Sequence, residues 1–198
     1  MKKIAFIVES GPMGAEKEVI PHLAKQISPN IEFEVVPLDD KRKLFSDCGE
    51  WTKEYLNKGY DKVIILWDLK PAWEVDQNKV CLVEELEIIQ ENLNTAGVTS
   101  SKVYKICLVQ MLEAWLIADE RAIRALLSTS AHSVRVPRTR KPEEERDPKS
   151  KLMTIFRQKR GRRYNDGVDA IKIVEQMPDL NRIRRLSTFQ RFERVLRA

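Results

Sequence analysis

Four short apolar runs recur along the chain, and each is followed by a segment with helical spacing. Lys3-Ile-Ala-Phe-Ile-Val8 is the first run and ends abruptly in Glu-Ser-Gly-Pro. Residues from Ala15 to Ile27 then carry Val19, Ile20, Leu23, Ala24 and Ile27 on one helical stripe, which Ser28-Pro-Asn stops. Ile31 to Val36 alternates as a second strand, and Asp47 to Leu56 reads as a helix with Gly59 fitting its C-terminal cap. Val63-Ile-Ile-Leu-Trp67 is nearly continuous in apolar character, the pattern of a strand buried on both faces. A helix over Val80 to Leu93, a fourth strand over Val103 to Val109 and a helix over Leu112 to Leu127 follow. Strand then helix, repeated four times, predicts an α/β fold: a Rossmann-like, mostly parallel sheet with helices on both faces.

At 198 residues the chain can bury a core without disulfides or a structural metal. No apolar run approaches the ~20 residues that span a bilayer, and Ile4 to Val8 is too short for a signal-peptide core. The expectation is a soluble, cytoplasmic protein that does not engage a membrane. Residues 128–150 are rich in Ser, Pro, Arg and Glu and read as a long exposed loop. Helices are expected over Lys149 to Lys159 and Gly167 to Gln176, with short ones over Asp179 to Arg185 and Ser187 to Leu196. The organisation read from this is an α/β domain over 1–130 and a basic loop and helical extension over 131–198. The extension packs on the domain, because Leu152, Ile155, Phe156, Val168, Ile171, Val174, Phe189, Phe192 and Leu196 need a surface to cover.

The net charge of +5 conceals a division. Residues 1–132 hold 16 Lys+Arg against 21 Asp+Glu, and residues 133–198 hold the other 19 against 9. An acidic body with a basic tail suggests a polyanionic partner, nucleic acid first, DNA or RNA. The densest cluster is Arg157-Gln-Lys159-Arg160-Gly-Arg162-Arg163-Tyr164, which suits phosphate contacts beside an aromatic stacking surface. The competing reading is that tail arginines pair with the acidic body and hold tail to core.

Cys48, Cys81 and Cys107 show no C-x-x-C spacing, and His22 and His132 lie far apart, so neither a disulfide framework nor a zinc site is expected. Chemistry would fall to carboxylates. In a parallel sheet the site lies at the carboxyl ends of the strands. Glu9 directly follows the first strand, Asp68 the third, and Glu113 begins shortly after the fourth. A charged group just past an apolar run is costly to bury unless a cation meets it. Three such acids on three strand ends point to a shared cation, and oxygen-only ligands point to Mg²⁺ or Mn²⁺. Glu16 opens the first helix; it either joins Glu9 or serves as an ordinary first-turn acid. Asp119 falls about 240° round the predicted helix from Glu113, off that face.

Two stretches carry a family resemblance. Val8-Glu9-Ser-Gly…Ala15-Glu16-Lys-Glu-Val-Ile-Pro21-His-Leu23 resembles the opening of Toprim-type metal nuclease domains, in the branch of the OLD (overcoming lysogenization defect) nucleases. Val63 to Asp68 is similar to the later Toprim strand that carries an Asp motif. Cys107-Leu-Val-Gln-Met-Leu-Glu113-Ala-Trp115-Leu-Ile-Ala-Asp119, with Asp147-Pro-Lys149…Tyr164…Gly167…Ala170 and the terminal Phe189…Phe192…Leu196, resembles small bacterial Toprim-like proteins of unknown function. The resemblance implies a Toprim-like fold and a Mg²⁺- or Mn²⁺-dependent phosphodiester hydrolase acting on nucleic acid, in bacterial phage defence. It implies Glu9, Glu16, Asp68 and Glu113 as metal ligands and Glu9, Asp68 and Glu113 as catalytic groups; Lys70, where the chain departs from the family pattern, could stabilise developing charge as a further catalytic group. Toprim domains usually carry Asp-x-Asp after the later strand, whereas this chain has Asp68-Leu-Lys70. Asp76 or Glu74 could stand in for the second acid, or Lys70 could replace a cation against phosphate. The alternative is a catalytically degenerate, binding or regulatory subunit beside a separate ABC-type ATPase, since this sequence has no P-loop motif of its own.

Overall fold

The computed structural model describes residues 1–70 and 82–198. Four strands, β1 (Lys2–Val8), β2 (Ile31–Pro37), β3 (Lys62–Asp68) and β4 (Val103–Leu108), form one sheet in the order β2-β1-β3-β4, with every pairing parallel. The connections explain the layers. Helix α1 (Glu16–Ile27) links β1 to β2, α2 (Lys41–Asn57) links β2 back to β3, and α3 (Leu82–Thr95) precedes β4. The alternation of side chains along each strand sends Ile4, Phe6, Val8, Ile64, Leu66, Ile106 and Leu108 to one face, where α1 packs. Ala5, Ile7, Val63, Ile65, Trp67 and Cys107 go to the other, under α2 and α3. The expected Rossmann-like α/β sheet, covered on both faces, is what the chain forms.

Direction of travel changes once in this sheet. From β1 the chain moves outward to β2, then crosses back so that β3 lies on the other side of β1 and β4 beyond it. The switch point therefore lies between β1 and β3, where a crevice opens at the carboxyl ends. Glu9 and Asp68 stand at that place.

Several boundaries differ from those read in sequence. Helix α2 starts at Lys41 rather than Asp47, because Asp40 accepts a hydrogen bond from the Lys43 amide and caps it earlier. The single helix expected over Leu112 to Leu127 is two, α4 (Glu113–Leu116) and α5 (Glu120–Leu127). Asp119 breaks it: its carboxylate accepts from the Arg121 amide as the cap of α5 and is gripped by the Arg121 guanidinium, which also reaches Asp179. The expected helix over Asp179 to Arg185 is only a 3₁₀ turn at Ile183–Arg185. The expected start of α3 at Val80, with Glu74, Asp76 and Cys81, lies outside the described residues.

The tail consists of α6 (Pro148–Arg160), α7 (Asp166–Glu175) and α8 (Ser187–Arg197). These helices join the same core as the α1 face of the sheet, through Leu152, Phe156, Ala170, Ile173, Val174, Phe189, Phe192 and Leu196. Val168, expected inside, is exposed. The loop over 128–150 is not wholly exposed either, since Val134, Val136 and Pro142 are buried and Pro142–Glu144 forms a 3₁₀ turn. Among the described residues, no helix is long and apolar enough to cross a membrane.

Candidate functional site

The carboxyl edge is assembled by a short chain of hydrogen bonds. The Glu9 amide donates to the Leu66 carbonyl, and the Glu9 carboxylate accepts from the Asp68 amide at 3.1 Å. The Asp68 carboxylate accepts from the Leu112 amide at 3.0 Å, which fixes the turn after β4 and presents Glu113 at the first residue of α4. Glu16, first residue of α1, comes in over the same edge and, with Glu9, Trp67 and Asp68, lines a small crevice. The four acids predicted from sequence are thus near neighbours.

Their environment is costly for negative charge. Burial, with Glu16 and Glu85 adding repulsion, pushes the Glu9 carboxyl up to about 8, against the pull of Lys41 and the Asp68 amide. Burial, followed by repulsion from Glu113 and Asp166, pushes Glu16 up to about 7. Asp68 is raised well above its ordinary value by burial and then by the charges of Glu16, Glu9 and Glu113. Glu113 is raised by burial, with Lys149 acting against it. A group of carboxyls whose burial favours the protonated form is chemically suited to a hard cation, which would stabilise all of them as anions. In donor type the residues fit a divalent ion. In spacing they stop short: among the described residues, no three His, Cys, Asp or Glu side chains are drawn together as an ion-holding group. Binding would require the glutamates to swing inward.

Two cations and a phenol that the sequence did not place at this site, together with Lys70, which it did, surround this group. Lys149, in the first turn of α6, lies 4.0 Å from the Glu113 carboxylate and pairs with Asp166. Asp147 places it there by accepting from the Ser150 amide and capping α6 just ahead of Pro148. Lys41 reaches the opposite side of the β3 end, donating to the Leu69 carbonyl at 3.1 Å and to Glu85 at 3.0 Å. Trp67 secures Glu85 through its indole N–H. The third cation, Lys70, follows Asp68 directly, and its amide donates to the Gln110 carbonyl. Sequence spacing offered no signal for Lys149 or Asp166, whose partners lie tens of residues away.

The basic cluster is corrected in two places. Tyr164 is no exposed stacking surface: it is buried, edge-on to Phe156 with ring centroids 5.3 Å apart. Its buried hydroxyl has no hydrogen-bond partner among the described residues, and its proton is held more tightly because of burial and of the nearby charges of Glu113 and Asp166. Arg162 is committed to structure: it forms a two-pronged pair with Asp169 at 2.7 Å and lies over the Phe156 ring. Arg157, Lys159, Arg160 and Arg163 are exposed.

Gly167 explains how α7 reaches the site. A Cβ there would stand 2.5 Å from the Met13 carbonyl, so only glycine lets α7 press against the turn ahead of Glu16 and bring Asp166 close. Gly167→Ala is expected to cost about 1–3 kcal/mol as α7 is forced away, measured by urea unfolding. A loss below a few tenths would show that the turn simply yields.

No curated protein and no solved structure matches the chain. A family model described as "Domain of unknown function (DUF4276)" matches residues 13–197, which leaves only β1, Glu9 and the start of the next turn ahead of it. With nearly the whole α/β body and tail inside that match, the chain belongs to the DUF4276 family.

Proposed function

We propose that this protein is a divalent-cation-dependent phosphodiester hydrolase acting on nucleic acid in the cytoplasm. The observation that carries the reading is the placing of Glu9 and Asp68 at the switch point of a parallel sheet, with Glu16 and Glu113 beside them and all four carboxyls raised by burial. Glu9, Glu16, Asp68 and Glu113 would hold Mg²⁺ or Mn²⁺. When bound, such an ion supplies neutralisation of phosphate charge and a more acidic water.

The protein's own groups do the rest. Asp68 holds the Leu112 amide and so fixes Glu113 against the strand ends. Lys149 balances Glu113 and Asp166 and limits the charge that builds up there. Lys70, at the rim, offers a fixed positive charge to a phosphate oxygen. The buried Tyr164 hydroxyl has a hydrogen bond to give on this side of the site.

A test uses plasmid, single-stranded DNA and tRNA with the full chain in Mg²⁺ and in Mn²⁺. Cleavage should require the cation and fall by about 100-fold or more, several kcal/mol of transition-state stabilisation, in Glu9→Ala and in Asp68→Ala. Cleavage that survives both substitutions would remove these residues from the chemistry.

The carboxylate spacing favours a second reading, a binding or regulatory subunit of the same fold acting beside a separate ABC-type ATPase. Under that reading nucleic acid is bound but never cut, in either cation, and an ATPase co-purifies.

A further inference from the structure

A second cluster of charge, of opposite sign, lies beyond the acids. Residues 140–144 and 182–186 face each other across a cleft of about 280 Å³ lined by Arg140, Lys141, Glu143, Glu144, Arg182 and Arg185, among others. The cleft exists because Glu143 pins its two walls together. The Glu143 carboxylate accepts from the amides and hydroxyls of both Ser187 and Thr188, capping the start of α8. That leaves its charge fully engaged. Glu144 is taken by Lys141 at 2.8 Å, and Arg182 by Glu120 at 3.3 Å.

What remains is unbalanced. Among the described residues, Arg138, Arg140 and Arg185 have no carboxylate within ion-pair distance. The Arg185 guanidinium is held in place by donating to the Arg182 carbonyl at 3.3 Å. Burial and then the like charges of Arg138 and Arg182 lower its affinity for its proton. Arginines held near one another repel unless an anion lies between them.

The cleft is also well placed. Gln110, at φ +69° in the turn after β4, joins the two regions: its carbonyl accepts from the Lys70 amide and its side chain donates to the Glu143 carbonyl. The Glu143 wall of the cleft is therefore tied to the turn at the carboxyl end of β4.

We propose that this cleft, with Arg140 and Arg185 as its contacts and the charge of Arg138 nearby, is a binding site for a phosphate group, and that the phosphate belongs to a nucleic-acid strand. The second half rests on the function proposed above. The guanidinium fork matches phosphate oxygens, and the volume suits one phosphate with its waters, below the ~300–1,000 Å³ usual for larger ligands.

The experiment measures binding in chelator, where no cleavage can occur. Full-length protein is titrated against fluorescein-labelled single-stranded DNA by anisotropy over a range of salt. An Arg140→Gln/Arg185→Gln double variant is compared with Lys53→Gln, a control on the exposed side of α2 over the opposite face. The double variant should bind about tenfold more weakly, and its salt slope should drop by about 1–2, as expected for lost phosphate contacts; the control should do neither. Unchanged affinity and slope in a folded double variant would overturn the site. Calorimetry with pyrophosphate separates the sources. Arginine-dependent pyrophosphate binding without DNA binding would overturn the strand as the source. The measurement is repeated in Glu9→Ala. Arginine-dependent DNA binding that persists there while no cleavage is ever found supports the cleft and rejects only the hydrolase.

Discussion

In chelator, the melting temperature is expected to fall as pH rises from about 5 to about 8, and Mg²⁺ or Mn²⁺ is expected to restore it. The sign follows from proton binding. Glu9, at about 8, and Glu16, at about 7, hold their protons in the folded state at pH values where the unfolded chain, near 4.5, has released them. Raised acids of this kind contribute stability that is complete below 4.5 and is lost as pH climbs through 7 and 8. The acids lowered by pairing, among them Asp147, Asp166, Asp169 and Glu193, act below that window, where acid removes their contribution. A displacement of one pH unit corresponds to about 1.4 kcal/mol. Because the site acids share one field, their effects do not simply add. A total on the order of 3 kcal/mol, or roughly 6–12 °C for a chain of this size, is expected. Glu9→Gln and Asp68→Asn should flatten the slope and remove the response to cation. A melting temperature that rises over this window in chelator would contradict the burial of charge at the strand ends.

Trp115→Ala is expected to lose about 3–5 kcal/mol in urea unfolding, with the midpoint moved and the slope kept. Trp115 is 1% exposed and lies edge-on to Phe189 at 4.9 Å and beside Phe192 at 5.5 Å. Its indole N–H donates to the Thr188 hydroxyl at 2.8 Å, which in turn donates to Glu143. Removing the ring opens a cavity between α4 and α8 and leaves Thr188 short of a partner. Trp115→Phe should cost less, about 1–2 kcal/mol, since it keeps most of the ring contact and loses the hydrogen bond. A loss under about 1 kcal/mol in the alanine variant would mean that α8 is not held by this residue.

Particular residues show what the sequence made legible and what it did not. The sheet was readable because Val63 to Trp67 has no polar interruption, and such a run can only be buried on both faces. Glu9 and Asp68 were readable for the same reason, as charges set directly after those runs. Lys149 and Asp166 were not, because the contacts that bring them to Glu113 close over loops of dozens of residues that no local pattern reports. Asp119 was misplaced because the apolar stripe continues past it through Ile123 and Leu127. A buried acid satisfied by Arg121 two residues later leaves that periodicity unbroken while ending the helix. Tyr164 was misread by its neighbours: an aromatic beside arginines suggests a stacking surface, but Phe156 and the core claim the ring.

The attachment of α8 also bears on when the protein can become competent. Phe192 packs on Phe6 of the first strand, and Lys62 at the start of β3 donates to the carbonyl of Val195. These contacts join residues far apart in sequence, so the loop-closure cost of forming them is high. During synthesis, α1 can cover its share of that face of the sheet, while β4 and Trp115 stay without their α8 partners until Leu196 has left the ribosome.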